Sequence, residues 1–270
     1  MMQFFNKQNR ALLSELVRTD FKLRYQGSIL GYAWSLLRPL FMFAILYTVF
    51  TRVFSVGKSV ENYPIFLLIG IVMWNFFSEI TQQSLGSIVN RGDLIRKIKI
   101  PRWLIIISAS IAGLINLGLN LIVVLVIALM SHMNLLSTSW MLPLYILELY
   151  IFGLGISLIL SSLFVKYRDV SYIWEVVLQA GFYATPILYP ITHSESLIKN
   201  PTVLKLVYSN PVAQAIQGTR NSFVTSDTLT IRDVFSSGWA VFIPLVLIAV
   251  LLAFGIWFFK RESRYFAENI

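Results

Sequence analysis

Six stretches of this chain approach the ~20 apolar residues that a helix needs to cross a ~30 Å hydrocarbon layer, and more polar links separate them. Hydrophobic residues fill 57% of the 270 positions and charged residues only 13%, against roughly 25% charged in an ordinary soluble domain. The expected fold is an all-α membrane protein forming one transmembrane domain over residues 1–270. Spans are predicted at about Leu36–Phe54, Pro64–Leu85, Leu104–Met130, Trp140–Val165, Val170–Tyr189 and Gly238–Phe259. Only Lys166-Tyr167-Arg168-Asp169 parts the fourth from the fifth. One continuous helix would bury those charges in hydrocarbon, so two spans are expected there.

The net charge of +9 would suggest nucleic acid in a soluble protein. Here no basic domain stands outside the membrane segments, so cytoplasmic Lys and Arg that orient the spans explain it better. With both termini inside, sixteen of the 22 Lys and Arg fall on the inner side and six on the outer. An even span number agrees with that arrangement. Residues 1–35 are then a cytoplasmic interfacial segment, 36–259 a six-span core and 260–270 a cytoplasmic tail. Residues 1–35 lack the short apolar core and cleavage site of a secretory signal, so the first span is expected to serve as its own insertion signal. The absence of Cys excludes disulfides and thiolate metal or redox chemistry.

The first span is approached through Arg18 to Leu40, RTDFKLRYQGSILGYAWSLLRPL. On a helical wheel, Leu12, Leu13, Leu16, Val17, Phe21 and Leu23 form one face, and Ser14, Glu15, Arg18 and Lys22 the other. This predicts an interfacial helix with basic groups at headgroup depth. Asp20 and Arg24 fall inside the apolar arc at i,i+4 spacing, where they can pair and imply contact with protein. A surface helix with two snorkelling charges is the alternative. Gly27 and Gly31 form a small-xxx-small pair. Pro39 sits near the start of the first span, where a missing N–H is tolerated.

Between the second and third spans, residues 91–102 read RGDLIRKIKIPR. Leu94, Ile95 and Ile98 share one face of a short helix, with Arg91, Arg96 and Lys97 largely elsewhere, and Pro101 stops it. A helix so short is marginal alone, so it is expected to dock into something; a basic stop signal at the headgroups is the alternative. Beyond the fifth span, residues 190–237 hold semi-apolar pieces too short to cross, Val203–Tyr208 and Val212–Ile216, punctuated by Pro186, Pro190, Pro201 and Pro211. They predict short helices that dip into the membrane or cover a cavity mouth. An ordinary outer loop is the alternative.

No catalytic constellation accompanies this framework. Val56-Gly57-Lys58-Ser59 imitates the end of a P-loop, but Arg52 stands where that motif needs Gly, and the segment is expected outside. His132 and His193 lack ligand spacing, and no hydrolase signature is present. Glu79, Glu148 and Glu175 lie in or near spans and are functional candidates by position, yet the Asp/Arg/His relay of a proton-coupled transporter is missing. Aromatic residues, 14% of the chain, suit an interface belt or the lining of a conduit for sugar rings.

RYQGSILGYAWSLLRPL, then LIRKIKIPRW, VKYRDV and TPILYP, in that order across six spans, resemble the membrane subunits of ABC exporters of polysaccharides such as O-antigen, capsule and teichoic acid. The resemblance runs from about Leu12 to the C-terminus. It implies a homodimer with two copies of a separate ATPase that binds ATP and Mg, no cofactor in this chain, and a lipid-linked glycan as cargo at the cytoplasmic (inner) membrane. Arg91, Asp93, Leu94, Ile95, Arg96, Lys97 and Ile98 would couple to the ATPase, with Arg168 and Asp169 in a second contact. Arg24, Tyr25 and Arg38, with Lys97 nearby, would meet the lipid pyrophosphate at the substrate entrance. Trp34, Tyr47, Phe50, Trp74, Phe77, Trp174 and Tyr183 are candidates to line the channel, and the segment after Pro186 would form re-entrant helices near the exit. A permease of the same architecture carrying a drug, lipid or ion differs in cargo alone. A membrane enzyme acting on lipid-linked sugars would need clustered acids or histidines, and a secondary transporter would work without an ATPase.

Overall fold

The computed structural model describes residues 7–24, 27–53, 60–97, 100–133, 136–191, 200–235 and 238–266. The Arg24 side chain, Tyr25, Ile98, the Val56-Gly57-Lys58-Ser59 segment and His193 lie outside the described residues. Among the described residues all regular structure is helical. Helix α1 is Lys7–Arg24. Helix α2 is Trp34–Thr48, prolonged by a π-helical turn over Val49–Val53. Helix α3 is Tyr63–Ser87, α4 is Gly92–Lys97 and α5 is Arg102–Met130. Helix α6 is Leu142–Lys166 and α7 is Val170–Ala184. The segment after α7 contributes α8 (Pro201–Ser209), α9 (Pro211–Phe223) and α10 (Ile231–Phe235), and α11 is Phe242–Glu262.

Among the described residues, five helical stretches are long and apolar enough to cross a membrane: Trp34–Val53, Tyr63–Ser87, Arg102–Met130, Ser139–Lys166 and Gly238–Tyr265. Helix α7 occupies the predicted fifth span but has 15 residues, about 22 Å of helix, short of the ~30 Å layer. The helix expected to reach Tyr189 ends at Ala184. Pro186 drives the residue before it out of the α region, and Thr185 is extended at φ −87°, ψ 135°. Residues 185–190 continue without helix.

Helix α3 is the axis. It packs against α5, α6, α7, α9 and α2, and its stretch 65–73 is apolar and buried on every side, as an enclosed helix must be. Lipid tails are as apolar as the side chains, so close packing has to hold such helices together. Ile80 of α3 is a knob seated on Gly113 of α5 and Gly153 of α6, and neither position has room for a methyl group. The α6–α11 crossing brings backbone against backbone: a Cβ on Gly255 would stand 2.6 Å from the Gly155 carbonyl oxygen.

The irregular turn after α7 is held by one buried arginine. Arg220 of α9 is fully buried. Its Nε donates to the Phe66 carbonyl (3.0 Å), Nη1 to that of Pro186 (2.7 Å) and Nη2 to that of Ile187 (2.6 Å). The guanidinium lies 3.6 Å over the Phe66 ring, in space left by Gly70. Tyr63 donates its hydroxyl to the Leu188 carbonyl at 2.9 Å. Carbonyls freed where a helix breaks in an apolar medium need such donors. Helices α8 and α9 each begin at an Asn-Pro step, where Asn200 and Asn210 accept from the N–H of Val203 (3.5 Å) and Val212 (3.0 Å), the usual N-cap arrangement with proline at the first helical position. Val203–Tyr208 and Val212–Ile216 fall within these helices. Helix α9 is almost wholly buried against α6 and α3. Just before α10, the Thr230 hydroxyl (2.7 Å) and N–H (2.8 Å) donate to Asp233 and hold its carboxyl below the usual range.

Two outcomes follow from this packing. Gly255→Val should destabilise the protein by about 1–3 kcal/mol through overpacking; Gly118→Ala, in open space, should not, as thermal unfolding in detergent micelles will show. Arg220→Met should cost about 1–3 kcal/mol for each orphaned carbonyl. Arg220→Lys, lacking the planar fork, should recover only part of that loss in the same measurement.

Candidate functional site

One end of the bundle is organised around α4. Ile88, Ile105, Ile106, Val165, Phe259 and Phe266 form a cluster there, with Ile95 of α4 half-buried against it. Ile95 thus fastens α4 to the ends of α5, α6 and α11. Leu94 is half-buried, while Asp93, Arg96 and Lys97 are exposed, so α4 offers a charged outer face. Val165 brings the α6–α7 link to the same end. Arg168 and Asp169 are exposed there, and Arg168 lies 5.0 Å over the Phe164 ring. The last described residues join this end as well: Arg102 donates to the Ser263 carbonyl and lies 5.9 Å from the Phe266 ring centroid.

Helix α1 is tied to this end by a three-residue bridge. Arg91 pairs with Asp20 of α1. It also donates through Nη1 to the Ser108 hydroxyl of α5 at 3.1 Å, and that hydroxyl approaches Asp20 Oδ2 at 3.0 Å. The expected pairing of Asp20 with Arg24 falls on a side chain outside the described residues; the partner described for Asp20 is Arg91, 71 positions away. The reading that Asp20 touches protein stands, but through a tertiary contact. Leu16 is buried on the side where α1 meets α5.

Further along the bundle, α2, α3 and α5 enclose a polar cleft of about 320 Å³. Glu79, which helps line it, lies about 12 Å along α3 from Ser87, and Asn116 roughly 20 Å along α5 from Arg102. Glu79 accepts from Asn116 Nδ2 (2.6 Å) and Gln83 Nε2 (3.1 Å). Asn120 Nδ2 donates to the carbonyls of Ser35 (3.3 Å) and Asn116 (2.9 Å), pinning the start of α2 to α5. Arg38 is exposed on α2 and lines the cleft, and among the described residues it has no ion-pair partner.

The aromatic candidates separate into two groups. Trp74 and Phe77 are 7% and 4% exposed and belong to the protomer's own core, so the expectation that they line an open path is corrected. Trp74 lies edge-on to Phe182, Phe77 stacks on Phe152 and meets Trp174, and Trp174 donates to the Thr81 hydroxyl at 3.1 Å. Tyr47 stacks with Phe43 and Tyr63, and Phe50 packs against the same core. Trp34 and Tyr183 present free ring surface, 45% and 70% exposed. Of the three acids, Glu79 and buried Glu148 are each met by amide side chains, Glu148 by Gln214 at 3.0 Å in the orientation that suits both groups. Glu175 is exposed.

Reading the sequence missed Arg220 and the amides of the cleft. Arg220 had been counted among outer charges. Its signal was an arginine near a Thr-Pro-Ile-Leu-Tyr-Pro helix break that needs donors. The cleft's signal was Asn75, Glu79 and Gln82 at i, i+4 and i+7 in an otherwise apolar helix.

Residues 11–224 match the ABC-2 type transporter family. An O-antigen export system permease protein RfbA of Klebsiella pneumoniae is 29% identical over 262 residues, covering 95% of this chain and 94% of that one. A protein of the same name from Myxococcus xanthus is 31% identical over 68% of this chain and 70% of its own length. The polysialic acid transport protein KpsM of Escherichia coli is 23% identical over 67% of this chain and 71% of its own. The chain belongs to the ABC-2 type transporter family: it is a multi-pass membrane protein and a transport subunit.

The bridge between α1 and α4 carries its own test. Asp20→Ala should release α1, raising amide exchange across Lys7–Arg24 and lowering stability by about 1–3 kcal/mol, as for a charged hydrogen bond. Hydrogen-exchange mass spectrometry reads the first effect and thermal unfolding the second.

Proposed function

We propose that the chain is the transmembrane subunit of an ATP-driven exporter that moves a lipid-linked polysaccharide, of O-antigen, capsule or teichoic acid type, across the cytoplasmic membrane. The observation that carries this reading is the near end-to-end match to an O-antigen export permease, 95% of one chain and 94% of the other. The functional unit is a homodimer with two copies of a separate ATPase, which supplies the site for ATP and Mg. Helix α7 with its irregular extension makes the sixth crossing, both termini are cytoplasmic, and α8 and α9 are the outer re-entrant pair.

In this reading α1 lies along the inner headgroups, supported by its amphipathic pattern. Arg24, Arg38 and Lys97 meet the pyrophosphate of the lipid carrier. The charged face of α4, with Arg168 and Asp169 beside it, seats in the ATPase. Closure of the ATPase pair displaces α4, and the Arg91–Asp20–Ser108 bridge passes that displacement to α1 and α5. The glycan then moves outward between the two copies, past the exposed faces of α2 and α7, where Trp34 and Tyr183 offer rings. The chain forms and breaks no covalent bond.

Asp93→Lys combined with Leu94→Asp should abolish co-purification of the ATPase encoded beside this chain and strip the surface glycan from cells, while the variant still inserts in the membrane. Pull-down through a tag on the ATPase and glycan staining of intact cells measure both. Retained association together with normal surface glycan would sink the coupling assignment. Surface glycan that survives deletion of the whole chain would sink the export reading.

A further inference from the structure

The cleft between α2, α3 and α5 has a composition that membrane packing does not require. Ionisable and amide side chains at membrane depth are expensive and mark functional sites by default. Here Asn75, Glu79 and Gln82 of α3 lie at i, i+4 and i+7 and line one wall, and Arg38 of α2 lines another. Asn75, Gln82 and Arg38 have no hydrogen-bond or ion-pair partner among the described residues. The wall is also not satisfied from within: Ser78 Oγ and Asn116 Oδ1 are buried without a partner. The volume of about 320 Å³ falls in the range of small-ligand sites.

The chemistry specifies a ligand. A guanidinium suits a phosphate oxygen pair. Carboxamides offer donors and acceptors together, which matches vicinal hydroxyls, each of them both donor and acceptor. Trp34, at the rim and 45% exposed, adds an apolar ring face. A phosphoethanolamine headgroup, which has no hydroxyls, would use the arginine but leave the amide stripe unanswered. The geometry points to a binding site for the first, phosphate-bearing sugar of the lipid-linked cargo: the phosphate on Arg38 and the sugar hydroxyls on Asn75, Gln82 and Glu79. This rests on the export reading above and adds to it a place within each protomer, apart from any path between two copies, where the reducing-end sugar is recognised.

The test uses the full transporter, this chain with its ATPase, in lipid nanodiscs, and two probes: a polyprenyl pyrophosphate bearing one hexose and the same lipid without the sugar. Binding is followed by native mass spectrometry. The wild-type protein should prefer the sugar-bearing probe by at least about fivefold, the worth of one to two net hydrogen bonds. Arg38→Gln should weaken both probes by about tenfold, as loss of a charged hydrogen bond does. Asn75→Leu with Gln82→Leu should erase the preference and leave the bare lipid's affinity unchanged. Gln82→Ala alone, at an exposed position, should reduce the preference and guards against misfolding of the double variant; co-purification with the ATPase reports folding for both. The proposal is overturned if the wild type shows no preference, or if variants that still bind the ATPase keep it. The two readings fail separately. The binding ratio decides the cleft, and the surface glycan of cells lacking the chain decides export.

Discussion

The fold depends on how backbone carbonyls are satisfied where α7 breaks. In hydrocarbon an unpaired carbonyl has no water to turn to, so a helix can stop inside the bundle only if the protein supplies donors. Arg220 supplies three N–H groups, to Phe66, Pro186 and Ile187, and Tyr63 supplies a hydroxyl to Leu188. Those bonds join α3, α9 and the end of α7 at one point. The burial of α9 follows from them, because the guanidinium must reach the broken turn. So does Gly70, whose missing side chain gives it room. A charge that is costly to bury becomes the means of keeping the short helix α7, an irregular turn and the buried helix α9 in register.

The opposite end of the bundle is built on different physics. There α4 is too short to be stable alone, and Ile95 with the Arg91–Asp20–Ser108 bridge holds it against α1 and α5. The bridge is only partly buried, 15% and 24% exposed at its two charged side chains, so it is weaker and more adaptable than the Arg220 knot. The bundle thus has a buried brace at one end and a more solvent-accessible link at the other.

The apolar runs made most of the fold readable. Helices α3, α5, α6 and α11 lie where composition and charge placed them, because lipid imposes the same length and polarity on any spanning helix. What escaped was set by pairs distant in the chain. Asp20 had a local partner in Arg24 by helical spacing, and tertiary packing gave it Arg91. The prolines after α7 announced a break, but not that Arg220, 33 residues beyond Ile187, would close it. Trp74 and Phe77 were indistinguishable from Trp34 as aromatic residues near spans; only helix rotation sends the first two into the core and leaves the last at a surface. The charged link around α4 was legible because charge in a short segment is conspicuous, and the neutral amides of the cleft were not, because they leave charge counts untouched.

Arg38 and Arg220 make the same point in one comparison. Both are arginines in mainly apolar surroundings, and sequence weighs them alike. Arg220 has each of its donor nitrogens matched to a carbonyl and a ring packed on its face, so nothing is left over to bind. Arg38 stands exposed on a wall shared with Asn75 and Gln82, and among the described residues none of the three has a partner. A polar group at membrane depth that the protein satisfies is structural. Three that converge unsatisfied on one space call for a ligand carrying the complementary groups, and a phosphate bearing a sugar carries them.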